Sequence, residues 1–233
     1  MLIAILNKST KILPPEAAAM TSAVNYQMRW HVAPAYQKDR PSVVLLGNTA
    51  PIPNGSYVIG LFDDSDQAGA LGWHTEDANG NVFGRVFCNP TLQAGYKVLT
   101  GAYSIASILS HEVIEAFVDP SVSDWSIAQD GTMYAKEACD PVESDIYTVP
   151  VGGVQVTVSN FVFPSWFDAQ GRAPYDQLHR LSAPFTMDHG GYVVYLPPGA
   201  TTEQQKFGEE FPEWKKATKL SELSRTSKRK TLS

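Results

Sequence analysis

The chain has 233 residues, 43% of them hydrophobic and 18% charged, with a formal net charge of −6. That length suits one domain with embellishments, or a domain plus a tail, and it can bury a substantial core. The acidic balance excludes a nucleic-acid binder acting through its whole surface, no apolar run approaches the roughly 18 residues of a membrane span, and Cys88 and Cys139 form neither a disulfide framework nor a CxxC pair.

Residues 1–6 (MLIAIL) read as a buried strand, too short for a signal-peptide core, so an intracellular setting is expected. Pro14-Pro15-Glu16 opens a helix running to about Ala33, with proline at a tolerated first-turn position. SVVLL at 42–46 and YVIGLF at 57–62 are two further buried strands. Asp63-Asp64-Ser65-Asp66 is a solvated turn that lacks the glycine and terminal glutamate of a calcium-binding loop. ALGWHT at 70–75 and NVFGRVF at 81–87 flank Asp77-Ala78-Asn79-Gly80, a hairpin signal. A long apolar helix follows over about 100–118 and stops at Asp119-Pro120, because the residue before proline avoids helical dihedrals. Residues 147–151 and 154–158 form a second hairpin around Gly152-Gly153, and FVFPSWF at 161–167 is an irregular buried segment. From Thr201 the composition turns polar and helix-capable, and from Lys215 it is basic. This divides the chain into a domain over 1–200 and an extension over 201–233 outside the core.

The chemistry concentrates in the long helix, where Ser110-His111-Glu112-Val113-Ile114-Glu115 has the form HExxE. A helix advances about 100° per residue, so His111 and Glu115 share one face and can grip one metal ion, with Glu112 beside them as a general base. Ile105, Ile108, Leu109, Val113, Ile114, Phe117 and Val118 cover most of the circumference, which marks a buried helix. Burying a histidine and two carboxylates there costs on the order of several kcal/mol unless a cation compensates. The plainer alternative is an exposed His111–Glu115 pair with Glu112 in solvent. Downstream, Glu137, Asp140 and Glu143 are spaced three apart, which would stack them on one helical face, where like charges repel unless neutralised. Cys139 between them offers a thiolate, or a small buried hydrophobe.

With this helix placed after a strand, a helix, two strands and a hairpin, residues 1–145 resemble the zincin metallopeptidases. SHEVIEAFVDP and EACDPVE are also similar to uncharacterised bacterial and phage proteins associated with that fold. The resemblance implies an α+β, zincin-like fold: a small mixed twisted sheet packed on a long metal-site helix. Residues 69–75 would form the edge strand lying antiparallel to substrate, with His74 contacting it. The resemblance also implies a divalent metal, zinc foremost, held by His111, Glu115 and a third ligand from Asp140 or Glu143. Asp140 comes first, because its shorter arm and Pro141 would fix it at a turn. Glu115 stands where the family has a second histidine, which makes the site harder and more anionic. His189, with Tyr192 nearby, could be a distant ligand or transition-state donor, while His31 and His179 have no distinguishing context.

Two functions follow. One is a metal-dependent hydrolase, a peptidase acting on peptide or protein substrates with Glu112 as base. The other is a weakly active or inactive zincin-like module, such as a phage virion component, whose C-terminal extension binds a protein partner. Contact with nucleic acid would be confined to the basic tail, and the setting is cytoplasmic or virion-associated.

Overall fold

In the computed structural model, which describes residues 1–47, 49–67 and 70–220, the chain is a mixed α+β protein. The apolar run β1 (Leu2–Asn7) leads into α1 (Pro14–Gln27), closed at its start where the Glu16 carboxylate accepts the Leu13 N–H at 2.8 Å. The helix widens into a π-turn at Met28–Val32 and ends in α2 (Ala33–Ala35). Then come β2 (Ser42–Leu46), β3 (Tyr57–Phe62), β4 (Gly72–Glu76) and β5 (Val82–Phe87). They complete a five-stranded sheet of order β2-β1-β3-β5-β4. β1 runs parallel to β2 and β3, with Ile3 opposite Val43 and Ile5 opposite Ile59, and β3 runs parallel to β5. Only β4, at the edge, pairs antiparallel, with His74 opposite Gly84. Parallel strands are covered on both faces, which is why β1 and β3 in the middle of the sheet read as largely apolar runs.

After the short α3 (Cys88–Gln93), the chain enters α4 (Ile105–Val118). It starts later than the run of apolar residues suggests, because Tyr103 sits at φ 56° and Ser104 is extended as the N-cap, its Oγ accepting the Ser107 N–H. α4 packs with α1 on the sheet, and Ile105, Leu109 and Ile114 join Ile3, Ile59 and Met20 in one core at 0% exposure. Ser110 Oγ accepts the Ser159 N–H at 2.6 Å, and the Gln27 side chain donates to the Ser159 carbonyl, so α4 is tied to α1 through one backbone residue.

A second, antiparallel sheet follows. β6 (Trp125–Ile127) and β7 (Met133–Ala135) precede the hairpin β8 (Ile146–Val151) and β9 (Val154–Ser159), whose turn places Gly152 and Gly153 at positive φ. β10 (Tyr192–Leu196) and β11 (Gln204–Phe207) complete the order β11-β10-β7-β6, and α5 (Glu213–Leu220) closes the described chain. Among the described residues no helix is long and apolar enough to cross a membrane.

Two sequence readings are corrected. Residues 137–143 are not a helix carrying three stacked acids: after β7 the chain is irregular until a single 3-10 turn at Asp140–Val142. Pro141 supplies no N–H, and the turn is closed by Val142 N–H on the Cys139 carbonyl. Nor does residue 200 bound the core. β11 pairs with β10, Tyr192 opposite Phe207, and Phe211 is buried against Tyr192. Phe207, Phe211 and Trp214, spaced four and three apart, present a narrow aromatic row within an otherwise polar segment. The basic residues from Arg225 on lie outside the described residues. Phe211→Ala should therefore cost about 3 kcal/mol, a fall of roughly 6–12 °C in the thermal midpoint read by calorimetry, and deleting residues 200–233 should cost more.

Candidate metal centre

One face of α4 carries His111 and Glu115, and the 3-10 turn brings Asp140 to them. His111 Nε2 lies 3.0 Å from Glu115 Oε2 and 3.3 Å from Asp140 Oδ1. Ligands held about 2.0–2.1 Å from a tetrahedral zinc ion are about 3.3 Å from one another, and each of these two contacts of His111 is close to that spacing. The other Glu115 oxygen accepts the Cys139 N–H at 3.0 Å, which fixes the carboxylate. Donor atoms of His111, Glu115 and Cys139 lie within 4.8 Å of one another, and so do those of His74, Glu115 and Glu137. Glu115 belongs to both groups.

His74 and Glu112 form the adjoining layer. His74, expected to face substrate from β4, is instead 1% exposed: the strand pleat turns it inward toward α4. Its Nε2 lies 3.1 Å from the Asp119 carbonyl, which can only accept, so that nitrogen carries hydrogen. Its Nδ1 faces Glu112 Oε2 at 3.4 Å. Asp119 is held by accepting the Ser123 and Asp124 N–H groups. On the other side, Glu112 lies against Gly72, where an added Cβ would come within 2.6 Å of Oε1.

The electrostatics follow from burial. Desolvation alone would push the His111 imidazole down, but the Glu115 and Asp140 carboxylates outweigh it and lift it to about 10. Burial raises Glu115 to about 7, with His111 opposing and Asp140 and Glu137 adding to the rise. Burial, then Glu115, holds the Cys139 thiol well above its usual value. Burial and Asp140 do the same for the Tyr192 phenol, which keeps its proton and hydrogen-bonds Asp140. Glu112, Glu115, Glu137 and Asp140 are each 4–6% exposed. Four carboxylates beside two imidazoles sum to −2 even with both rings protonated, a charge that a divalent cation would balance.

Of the predicted residues, the structure thus gathers His111, Glu115 and Asp140, with Glu112 alongside. Glu143 does not join them: its carboxylate pairs with the Lys215 ammonium. His189 stands outside, its side chain 66% exposed and 3.9 Å from Glu209. His31 bonds the Tyr147 hydroxyl. The contributions of Gly72, Tyr192 and Lys215 escape local sequence patterns, because each reaches the site from a separate element. Gly72, Tyr103, His111, Glu112, Glu143 and Lys215 line one cleft.

No protein-family model, curated protein or solved structure matches this chain. Its chemistry therefore rests on the donor set. Because His111 without a cation keeps its proton up to about pH 10, cation binding near neutrality must displace it. Apparent zinc affinity should tighten about tenfold per pH unit above pH 7, and more steeply below it, where Glu115 also holds a proton. Calorimetric titrations in buffers of different ionisation enthalpy would count the protons released.

Proposed function

We propose that this protein is a metal-dependent hydrolase, a peptidase of zincin-like design, in which His111, Glu115 and Asp140 hold a divalent cation, zinc first among candidates, and Glu112 is the general base. The observation that carries the reading is the approach of His111 Nε2 to Glu115 and Asp140 at 3.0 and 3.3 Å, beside a cleft lined by Glu112. When bound, the cation would supply Lewis acidity and lower the pKa of water at the site. Glu112 would take a proton from the attacking water and pass it to the leaving amine. His74, braced by the Asp119 carbonyl, holds the Glu112 carboxylate in place, and Gly72 leaves it the room it occupies. Tyr192 steadies Asp140 in the same way.

The sheet supports the same reading. β4 is an edge strand packed beside α4, and its outer side can pair with an extended peptide laid along the cleft. The carboxylate at Glu115 adds negative charge next to the cation, which weakens its Lewis acidity, so turnover should be slow. A second reading, a module that binds a partner without chemistry, draws on Lys215, whose side chain already sits in the cleft.

Glu112→Gln should lower peptide hydrolysis by about 100-fold or more while leaving zinc content unchanged. Gly72→Ala should do nearly the same, since its Cβ displaces the Glu112 carboxylate. His111→Ala should lose both metal and activity. Zinc-loaded unmodified protein that cleaves nothing in a broad peptide library would leave the module reading in possession of the site.

A further inference from the structure

We propose that Glu143 and the face of Tyr103 form a subsite for a basic side chain, lysine or arginine, of a peptide substrate, and that Lys215 of the chain's own C-terminal segment fills it. A lysine is seldom buried without a dedicated partner, yet Lys215 is 5% exposed on a helix at the periphery of the fold. Its ammonium pairs with the Glu143 carboxylate, itself 7% exposed, and lies 5.0 Å from the centre of the Tyr103 ring. A carboxylate at one side and an aromatic face at the other recognise an alkylammonium by charge and by cation–π attraction.

These two walls belong to the body of the protein, whereas Phe211, whose ring centre is 5.8 Å from the ammonium, arrives with the lysine's own segment. Glu143 follows the turn that delivers Asp140, and Tyr103 immediately precedes the cap of α4. Tyr103 holds a left-handed backbone at φ 56°, a conformation unfavourable for a tyrosine that persists where the surroundings impose it. Lys215 is the visitor. It arrives on a segment anchored by β11 and Phe211, next to His111 and Glu112 in the same cleft. Lys215 already holds the Glu143 carboxylate in this cleft. A basic residue of a bound peptide would therefore pair with Glu143 only by displacing Lys215, and the segment acts as a tethered competitor.

Calling the pocket a substrate subsite rests on the hydrolase reading; its preference for a basic side chain does not, and binding measures it separately. In zinc-supplemented full-length protein, Lys215→Ala should bind Nα-acetyl-lysine methylamide about tenfold tighter than the norleucine analogue, by calorimetry. The unmodified protein should bind both weakly, and adding Glu143→Gln to the variant should remove the preference. If Lys215→Ala does not fold, the unmodified chain still reports: acetic anhydride labelling of Lys215, followed by mass spectrometry, should accelerate with the lysine amide and not with the norleucine amide. No preference for lysine in either measurement overturns the subsite. A lysine preference in a protein that hydrolyses no peptide keeps the subsite and removes the hydrolase reading. Hydrolysis indifferent to lysine does the reverse.

Discussion

Glu115 is the residue around which the charges of this protein are arranged. One of its oxygens meets His111 and the other accepts the Cys139 N–H, so it joins α4 to the segment that carries Asp140. A histidine at this position could not make both contacts in the same way, since an imidazole offers at most one acceptor nitrogen when neutral. The carboxylate thus reads as a structural requirement of the 137–143 turn as much as a choice of metal ligand. Its cost is concentrated negative charge: Glu112, Glu137 and Asp140 share the same enclosed volume. Water can no longer screen these groups, and only protons, imidazolium or a cation can. That constraint explains why His111 holds its proton so tightly and why Glu115 binds one near neutrality.

Keeping the charges in register requires a rigid frame. α4 is locked at three places along its length: the Ser104 cap, the Ser110–Ser159 bond and its packing on the parallel sheet. Asp119 closes the far end of the helix, accepting two N–H groups with its side chain while its carbonyl holds His74. The same residue that ends the helix therefore braces the histidine that faces Glu112. The link between fold and proposed chemistry runs through that one backbone carbonyl.

Much of this was legible in the sequence wherever the signal was local. Continuous apolar runs marked β1, β2 and β3, the turn at residues 77–80 marked the hairpin that carries β5, the paired glycines marked the β8–β9 turn, and the i, i+4 spacing marked His111 and Glu115. The side chain of His74 was not legible, because β4 has both faces covered: Trp73, His74 and Thr75 are all buried, and alternation cannot tell which face meets a helix. Residue type and the following proline single out Asp140, which lies 3.3 Å from His111, while the backbone around it is a 3-10 turn and not the helix its spacing suggests. A spacing of three acids mimics helical periodicity whatever the backbone does. The docking of residues 204–216 was hidden for another reason: three aromatics in a polar window carry little average hydrophobicity, and their partners, Tyr192 and Glu143, lie elsewhere in the chain.

The C-terminal segment also completes the charge arrangement. Glu143 is the fifth carboxylate brought in by the 137–143 region and α4, and without a cation of its own it would add to the repulsion within the site. Lys215 supplies that cation from outside the His111–Glu115–Asp140 group, so the charge in the cleft is balanced separately from the charge around Glu115. The separation has a mechanical consequence. A cation bound at His111, Glu115 and Asp140 need not disturb the lysine, and withdrawing the lysine need not disturb those three. Under the proposed function, the two can change independently: occupancy of the metal cluster governs whether chemistry is possible, and the position of α5 governs whether a peptide can reach it.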